Sequence, residues 1–220
     1  MYFIRKANNQ IKLILTGQIF LFMFMLPPCM YGQIEPVSTL PTTQYKNTFP
    51  KPELSRYPYL QQATPNSIMI RWRTDALARS RVRYGTQLGK LDKIADDSSL
   101  VMEHSVTLKG LTPSTKYYYS IGSINDTLQG DLNNYFITLP PPGEEGYYRV
   151  GVFGDCGTNR ITQRKVRDQF LKYLGGNKLD AWLLLGDNAY ENGTDAQFQQ
   201  NFFNVYKNDL LKNVPLFPAP

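Results

Sequence analysis

The chain has 220 residues, of which 42% are hydrophobic, and it carries 24 Lys and Arg against 18 Asp and Glu. This length corresponds to one or two domains, and this hydrophobic content excludes an intrinsically disordered chain. Three of the positive charges, Arg5, Lys6 and Lys12, lie in a predicted export signal. The excess that remains is too small to indicate nucleic-acid binding, so we expect none.

Residues 1–32 have the pattern of a secretory signal peptide. A basic stretch, Arg5 to Lys12, precedes the apolar run Leu13 to Leu26, which is shorter than a typical transmembrane helix. We predict an exported protein (secreted, periplasmic or at the cell surface), with cleavage near Gly32 and no membrane span in the mature chain. A retained anchor and lipidation of Cys29 stay open. After cleavage, Cys156 would be the one remaining cysteine and could not form an intrachain disulfide.

Residues 33–52, rich in Pro, Thr, Ser and Gln, indicate a linker, and residues 53–139 indicate a β-sandwich. The run Ser67 to Arg73 places Ile68, Ile70 and Trp72 on one face and charged residues on the other, as in a half-buried strand. Short runs of the same kind follow, with Gly, Pro and Asn between them. These further predicted strands are Arg81–Gly85, His104–Leu108, Tyr117–Gly122 and Tyr135–Thr138.

Three features of this region form a recognisable pattern: Trp72 within its strand, the pair Tyr84-Gly85, and a long motif. That motif is His104-x-Val106-x-Leu108-x-Gly110-Leu111-x-Pro113-x-Thr115-x-Tyr117-x-Tyr119. Together they resemble the fibronectin type III-like domain at the N-terminus of purple acid phosphatases. His104 is the one histidine of the chain, but it alternates in register with Val106 and Leu108. We therefore interpret it as a structural residue of the sandwich.

The segment Pro140 to Gly146 predicts a domain boundary, because consecutive prolines lack amide donors and hold the chain extended. Residues 147–220 then follow the order strand, turn, helix, strand of an α/β domain. The second strand is a continuous apolar run, which predicts that it is covered on both faces. The predicted elements are Tyr148–Phe153, a helix Thr162–Leu174 with Val166, Phe170 and Leu174 on its apolar face, and Ala181–Leu185.

Each of the two apolar strands ends in Gly-Asp, at Gly154-Asp155 and Gly186-Asp187. Two strands joined through a helix should be parallel, and open α/β sheets bind ligands at the carboxyl ends of their strands. Asp155 and Asp187 should therefore converge. Close carboxylates repel unless a cation neutralises them, so the pair indicates hard metal ions. A single Gly-Asp could equally be an ordinary turn.

The motifs Gly154-Asp155-x-Gly157 and Gly186-Asp187-x-x-Tyr190 resemble the first two metal-binding motifs of purple acid phosphatases, a branch of the calcineurin-like metallophosphoesterases. The wider superfamily usually has His where this chain has Gly157, and Asp where it has Tyr190. The resemblance implies Asp155 as a terminal iron ligand, Asp187 as the carboxylate that bridges two metals, and Tyr190 as a phenolate ligand. It also implies Fe(III) with a second divalent metal (Fe, Zn or Mn), and hydrolysis of phosphate monoesters.

The fold class that follows is a fibronectin III-like β-sandwich followed by the first part of an α/β metallophosphoesterase domain. In the family, the segment around Pro220 leads into Gly-Asn-His and later histidine ligands, so no catalytic residue is expected within this chain. We expect a C-terminally truncated fragment that is inactive by itself. The capping-box spacing of Thr194 and Gln197 predicts a further scaffold helix.

Two alternatives to acid phosphatase activity remain open. One is a noncatalytic secreted module whose sandwich binds glycans or mediates adhesion beside a degenerate enzyme remnant. The other is a phosphodiesterase or nucleotidase of the same superfamily. The expected partner is a phosphorylated small-molecule substrate, and the sequence does not determine the oligomeric state.

Overall fold

A computed structural model describes residues 51–219. The predicted export signal and residues 33–50 of the predicted linker lie outside the described residues. Strands and helices follow the chain in this order: β1 Leu54–Gln61, β2 Ser67–Gly85, β3 Lys93–Lys109, β4 Lys116–Gly122, β5 Thr127–Gln129, β6 Tyr135–Ile137, β7 Val150–Phe153, α1 Ile161–Leu174, β8 Ala181–Leu184, α2 Asp195–Gln197, α3 Asn204–Tyr206 and β9 Leu216–Pro218. Two π-helical stretches, Phe198–Phe203 and Lys207–Leu211, join α2 and α3 into one helical segment, 195–211.

Strands β1 to β6 pair antiparallel and form the β-sandwich. The long strand β2 pairs with β1 through its first half and with β4 through its last five residues, Arg81–Gly85, while β3 pairs along most of its length. The prediction of separate short strands at 67–73 and 81–85 was therefore wrong. Register shifts between Arg73 and Ser80 let one continuous strand bend between its two sets of partners.

The sandwich core is built from the alternating positions that the sequence predicted. Ile68, Ile70 and Trp72 are completely buried, and Val106 and Leu108 of β3 lie on the same side. Aromatic rings of β4 and β6 complete the core, with Tyr117 and Phe136 stacked at a centroid distance of 5.4 Å. Burial of one such large apolar side chain contributes about 1.5–3 kcal/mol, so these residues dominate the stability of the sandwich.

His104 is confirmed as a structural residue, because it is 1% exposed and its ring stacks on Trp72 at 4.7 Å. The Thr74 hydroxyl donates to the Ala76 carbonyl, so it accepts a hydrogen bond from His104 Nε2 at 2.8 Å. Nδ1 then accepts from the Ser80 hydroxyl at 2.9 Å. Burial lowers the pKa of His104 to about 4, so the ring is neutral near pH 7 and Nδ1 is free to accept this hydrogen bond.

We expect His104 to make the free energy of unfolding depend on pH. Between about pH 6.5 and 4 the unfolded chain binds the imidazole proton and the folded chain does not, so stability should fall as the pH falls through this range. The loss should approach about 3 kcal/mol at the acid end. Urea unfolding of the wild type and of His104→Gln across these pH values isolates the effect from that of the carboxylates. Parallel pH curves for the two proteins would contradict the prediction.

Strands β7, β8 and β9 form a parallel sheet, with β8 in the centre. One face carries the second core, where Trp182 and Leu184 pack against Phe202 and Tyr206 of the helical segment 195–211. Phe170 of α1 packs on the same side, against Phe153 at 4.9 Å.

The prediction that β8 is covered on both faces is wrong for the described residues. Leu183 and Leu185 are 36% and 63% exposed, because α1 and the segment 195–211 lie on the same side of the sheet. Val150 and Val152 of β7 are also exposed. Val166, placed by its spacing on the apolar face of α1, is exposed as well, and Gln163 is the buried residue of that helix. None of the helices between residues 51 and 219 has the length and hydropathy of a transmembrane helix.

The sandwich and the parallel sheet are packed together within one compact unit. Tyr59 of β1 belongs to the second core and lies 4.9 Å from Phe203. The buried Arg56 lies over the same ring at 4.1 Å, and its guanidinium donates to Asp195 and Gln199, both at 2.7 Å. Arg73 donates to Asp195 as well, and the two arginines hold the pKa of this carboxyl well below its usual range. Helix α2 is thereby fixed to the edge of the sandwich.

Replacing Arg56 by Met should lower the free energy of unfolding by about 1–2 kcal/mol, because the stem stays packed while the cation and its hydrogen bonds are lost. Chemical denaturation measures the loss. Arg79→Met is the matched control, because Arg79 is an exposed residue of the same sandwich and should change stability by less than about 0.5 kcal/mol. Equal effects of the two substitutions would show that Arg56 does not fix the two parts together.

Candidate metal centre

Asp155 and Asp187 occupy equivalent places, each just after a parallel strand, at the same edge of the sheet. Asp155 follows β7 and Asp187 follows β8, and both have φ of 52°, in the left-handed region. Side chains other than Gly seldom adopt this conformation, although Asp and Asn tolerate it better than most. The turn out of each strand is therefore made at the aspartate itself, with Gly186 at φ of 107° assisting in the second case.

The structure brings Tyr190 together with both aspartates. Its hydroxyl lies 2.7 Å from Asp187 Oδ2 and also contacts Asp155 Oδ1. One phenolic proton is thus shared between two carboxylates that would otherwise repel each other. The hydrogen bonds to Asp155 and then Asp187 raise the pKa of Tyr190 well above its usual value, so the proton is held firmly in this state.

The three oxygen donors suit a hard cation. Carboxylate and phenolate oxygens are the ligand types that Fe(III) and similar ions prefer, and a cation placed among them would take over the role of the shared proton. Within residues 51–219, no group of three or more His, Cys, Asp and Glu side chains could hold a metal ion. The candidate centre has two such residues and needs the phenol as its third donor. Metal binding by Asp155, Asp187 and Tyr190 stays a prediction.

The two loops that carry these residues are packed against each other through Gly157. A Cβ atom at this position would lie 2.2 Å from the carbonyl carbon of Asn188 and 2.3 Å from the amide nitrogen of Ala189. The Gly157 carbonyl accepts a hydrogen bond from the Tyr190 amide at 2.9 Å. Any side chain at position 157 would therefore push the Tyr190 loop away from Asp155.

The side chains of the neighbouring residues Cys156 and Asn188 contact each other. The Cys156 thiol is buried and contacts Asn188 Oδ1 at 3.4 Å, and burial raises the pKa of this thiol to about 11. Asp180 lies at the start of β8 and accepts hydrogen bonds from the Arg149 amide and Lys178. None of these three side chains bonds to Tyr190.

Gln163 and Asn201 are the residues of the site region that the sequence did not reveal. Both are buried, and each bonds to the backbone of a loop that carries candidate ligands. Their partners are distant in the chain and are mostly main-chain atoms, so no spacing or motif signals them. The predicted capping box at Thr194 and Gln197 is confirmed and begins the helical segment that carries Asn201.

Substitution of Gly157 by Ala should destabilise the candidate centre, because the added methyl group overlaps the backbone of the second loop. We expect a loss of about 1–3 kcal/mol in the free energy of unfolding and weaker metal binding. Gly154→Ala is the matched control, since a Cβ atom there meets only Leu185 Cβ at 3.7 Å. Denaturation and metal titration of both variants provide the test, and equal behaviour would rule out the steric argument.

Comparison with known proteins identifies the first part of the chain directly. Residues 56–135 match the family described as Purple acid Phosphatase, N-terminal domain. Over 182 residues the chain is 30% identical to Acid phosphatase type 7 of Mus musculus, an alignment that covers 77% of this chain and 39% of that protein. It is also 30% identical over 129 residues to "Probable inactive purple acid phosphatase 27" of Arabidopsis thaliana, with 53% of this chain and 20% of that protein covered.

The solved structure of the purple acid phosphatase PPD1 from yellow lupin (Lupinus luteus) has the same fold. The TM-score is 0.61 at 23% identity, over 74% of this chain and 34% of the lupin chain. This chain therefore spans between a fifth and two fifths of the length of these three relatives. Residues 56–135 therefore correspond to the N-terminal domain of purple acid phosphatases, and the similarity to an acid phosphatase continues beyond that domain.

Proposed function

We propose that the whole protein is an exported enzyme that hydrolyses phosphate monoesters at a dinuclear metal centre, and that this chain supplies Asp155, Asp187 and Tyr190 to it. The metals would be Fe(III) and a divalent ion (Fe, Zn or Mn). The observation that carries the proposal is the contact of one phenolic hydroxyl with two carboxylates at the carboxyl ends of neighbouring parallel strands. The family relationship supports a phosphatase role.

The side chains have different tasks in this proposal. Asp187, which follows the central strand β8, would be shared by both metals, while Asp155 and Tyr190 would bind iron alone. When bound, the metals would supply Lewis acidity and an activated water for attack on phosphorus. The two aspartates and the phenolate bring three negative charges to the ions, which would stabilise the ferric state.

A cavity of about 550 Å³ beside the candidate centre gives room for the organic part of a substrate. Asp187 and Tyr190 are among the residues that line it, together with Tyr59 of the sandwich, Phe198 and Leu216. An apolar wall of this kind would favour esters with a sizeable apolar group, because their burial adds binding free energy.

The test compares Asp187→Asn with Asp209→Asn in the full-length protein. Asp209 is an exposed aspartate on the helical segment 195–211 and is the matched control. We expect Asp187→Asn to lose bound metal and to reduce kcat for a phosphate monoester at least about 100-fold, since a bridging carboxylate serves both ions. Asp209→Asn should behave as the wild type. Metal content by elemental analysis and initial rates are the measurements.

Full activity and full metal content in Asp187→Asn would refute the proposed centre. A noncatalytic role is the second candidate, because two of the similar proteins carry the name "Probable inactive purple acid phosphatase". A full-length wild type that binds no metal and hydrolyses no ester, but remains folded, would favour that candidate.

A further inference from the structure

We propose that Gln163 and Asn201 are positioning residues that hold the two ligand-bearing loops in register, so that Asp155, Asp187 and Tyr190 meet. This inference rests on the proposed function of the same three residues. Neither side chain contacts a ligand oxygen, and both act through the backbone of the loops.

Gln163 lies in the first turn of α1 and is 7% exposed. Its amide nitrogen donates to the carbonyl of Cys156, the residue directly after Asp155, and to the carbonyl of Asn201 at 2.8 Å. Its Oε1 accepts from the Asn159 amide at 2.6 Å. One side chain thus binds the loop after β7 at two points and ties it to the helical segment 195–211.

Asn201 continues this connection to the second loop. It is 8% exposed, and its side-chain amide donates to the Tyr190 carbonyl at 2.7 Å. The main-chain carbonyl of Asn201 is therefore linked to the Asp155 loop through Gln163, while the side chain of Asn201 binds the Tyr190 carbonyl. The hydroxyl of Tyr206, also buried, donates to the Cys156 carbonyl at 3.3 Å and closes the network.

The burial of this network makes it a precise constraint. Polar groups that are removed from water need their partners, because an unpaired buried amide or carbonyl loses its solvation without compensation. Gln163 can satisfy both carbonyls only when the Asp155 loop and the segment 195–211 keep their present separation. A packing role alone would be served equally well by an apolar residue of similar length.

The experiment uses the full-length protein and replaces Gln163 by Met, which has a similar length but no amide. Gln169→Met is the matched control, because Gln169 is an exposed glutamine of the same helix. A second variant, Asn201→Leu, removes only the bond to Tyr190. Should Gln163→Met not fold, Gln163→Asn keeps the amide on a side chain that is one methylene shorter.

Three readouts are compared: amide hydrogen exchange of the metal-free protein, the rate of iron loss to a chelator, and the visible absorption of iron-bound phenolate. We expect Gln163→Met to speed amide exchange at residues 155–159 and 188–192 at least about ten-fold. Iron loss to the chelator should be faster by at least the same factor, and the absorption band should move. Asn201→Leu should speed amide exchange at residues 188–192 and move the absorption band, while exchange at residues 155–159 should stay as in the wild type. Gln169→Met should match the wild type in all three.

Two results would overturn the inference in distinguishable ways. If the wild type binds iron and Gln163→Met loses iron at the same rate with an unchanged band, Gln163 is structural and the proposed centre stands. If the folded full-length wild type takes up no iron, the proposed function fails and the positioning role fails with it.

Discussion

The arrangement that the rest of the site depends on is the meeting of two carboxylates at a single phenolic hydroxyl. Two carboxylates that contact the same hydroxyl repel each other. In addition, the backbone of each aspartate is in the left-handed region, which costs on the order of 1–3 kcal/mol per residue. Interactions elsewhere must compensate for these costs. The parallel pairing of β7 and β8 brings Asp155 and Asp187 to one edge, and the second core on one face of the sheet stabilises that pairing.

The sandwich contributes to this rigidity although it holds none of the candidate ligands. Arg56 and Arg73 fix Asp195 at the start of the helical segment 195–211, and Tyr59 packs into the second core. The same helical segment carries Asn201, whose side chain bonds to the Tyr190 carbonyl. A continuous series of ion pairs, packed rings and hydrogen bonds therefore leads from the edge of the sandwich to the main chain of Tyr190. The N-terminal domain is a structural support of the site and not an independent appendage.

The sequence predicted the features that depend on local pattern. Alternation placed Ile68 and Trp72 in the core, the spacing of Thr194 and Gln197 predicted a helix start, and repeated Gly-Asp pairs predicted the convergence of two carboxylates. It failed where the outcome depends on distant partners. The bend of β2 depends on which strands pair with each of its halves. The exposure of Leu183 depends on the side of the sheet on which the helices pack. The role of Gln163 depends on carbonyl groups from two other segments of the chain.

The two departures from the wider superfamily pattern, glycine at 157 and tyrosine at 190, are parts of one steric arrangement. The backbone of Asn188 and Ala189 occupies the place where a side chain at position 157 would begin. This backbone continues directly into Tyr190, so its close approach to Gly157 places the phenol next to Asp155. The hydrogen bond from the Tyr190 amide to the Gly157 carbonyl stabilises this position. A histidine at 157 would require the second loop to lie further from Asp155. The hydroxyl of a tyrosine at 190 would then reach Asp155 only if the backbone of the second loop had a different conformation. In the proposed centre, the phenol of Tyr190 would therefore replace the histidine donor of the wider superfamily, and the close packing of the two loops at Gly157 is what would allow this exchange.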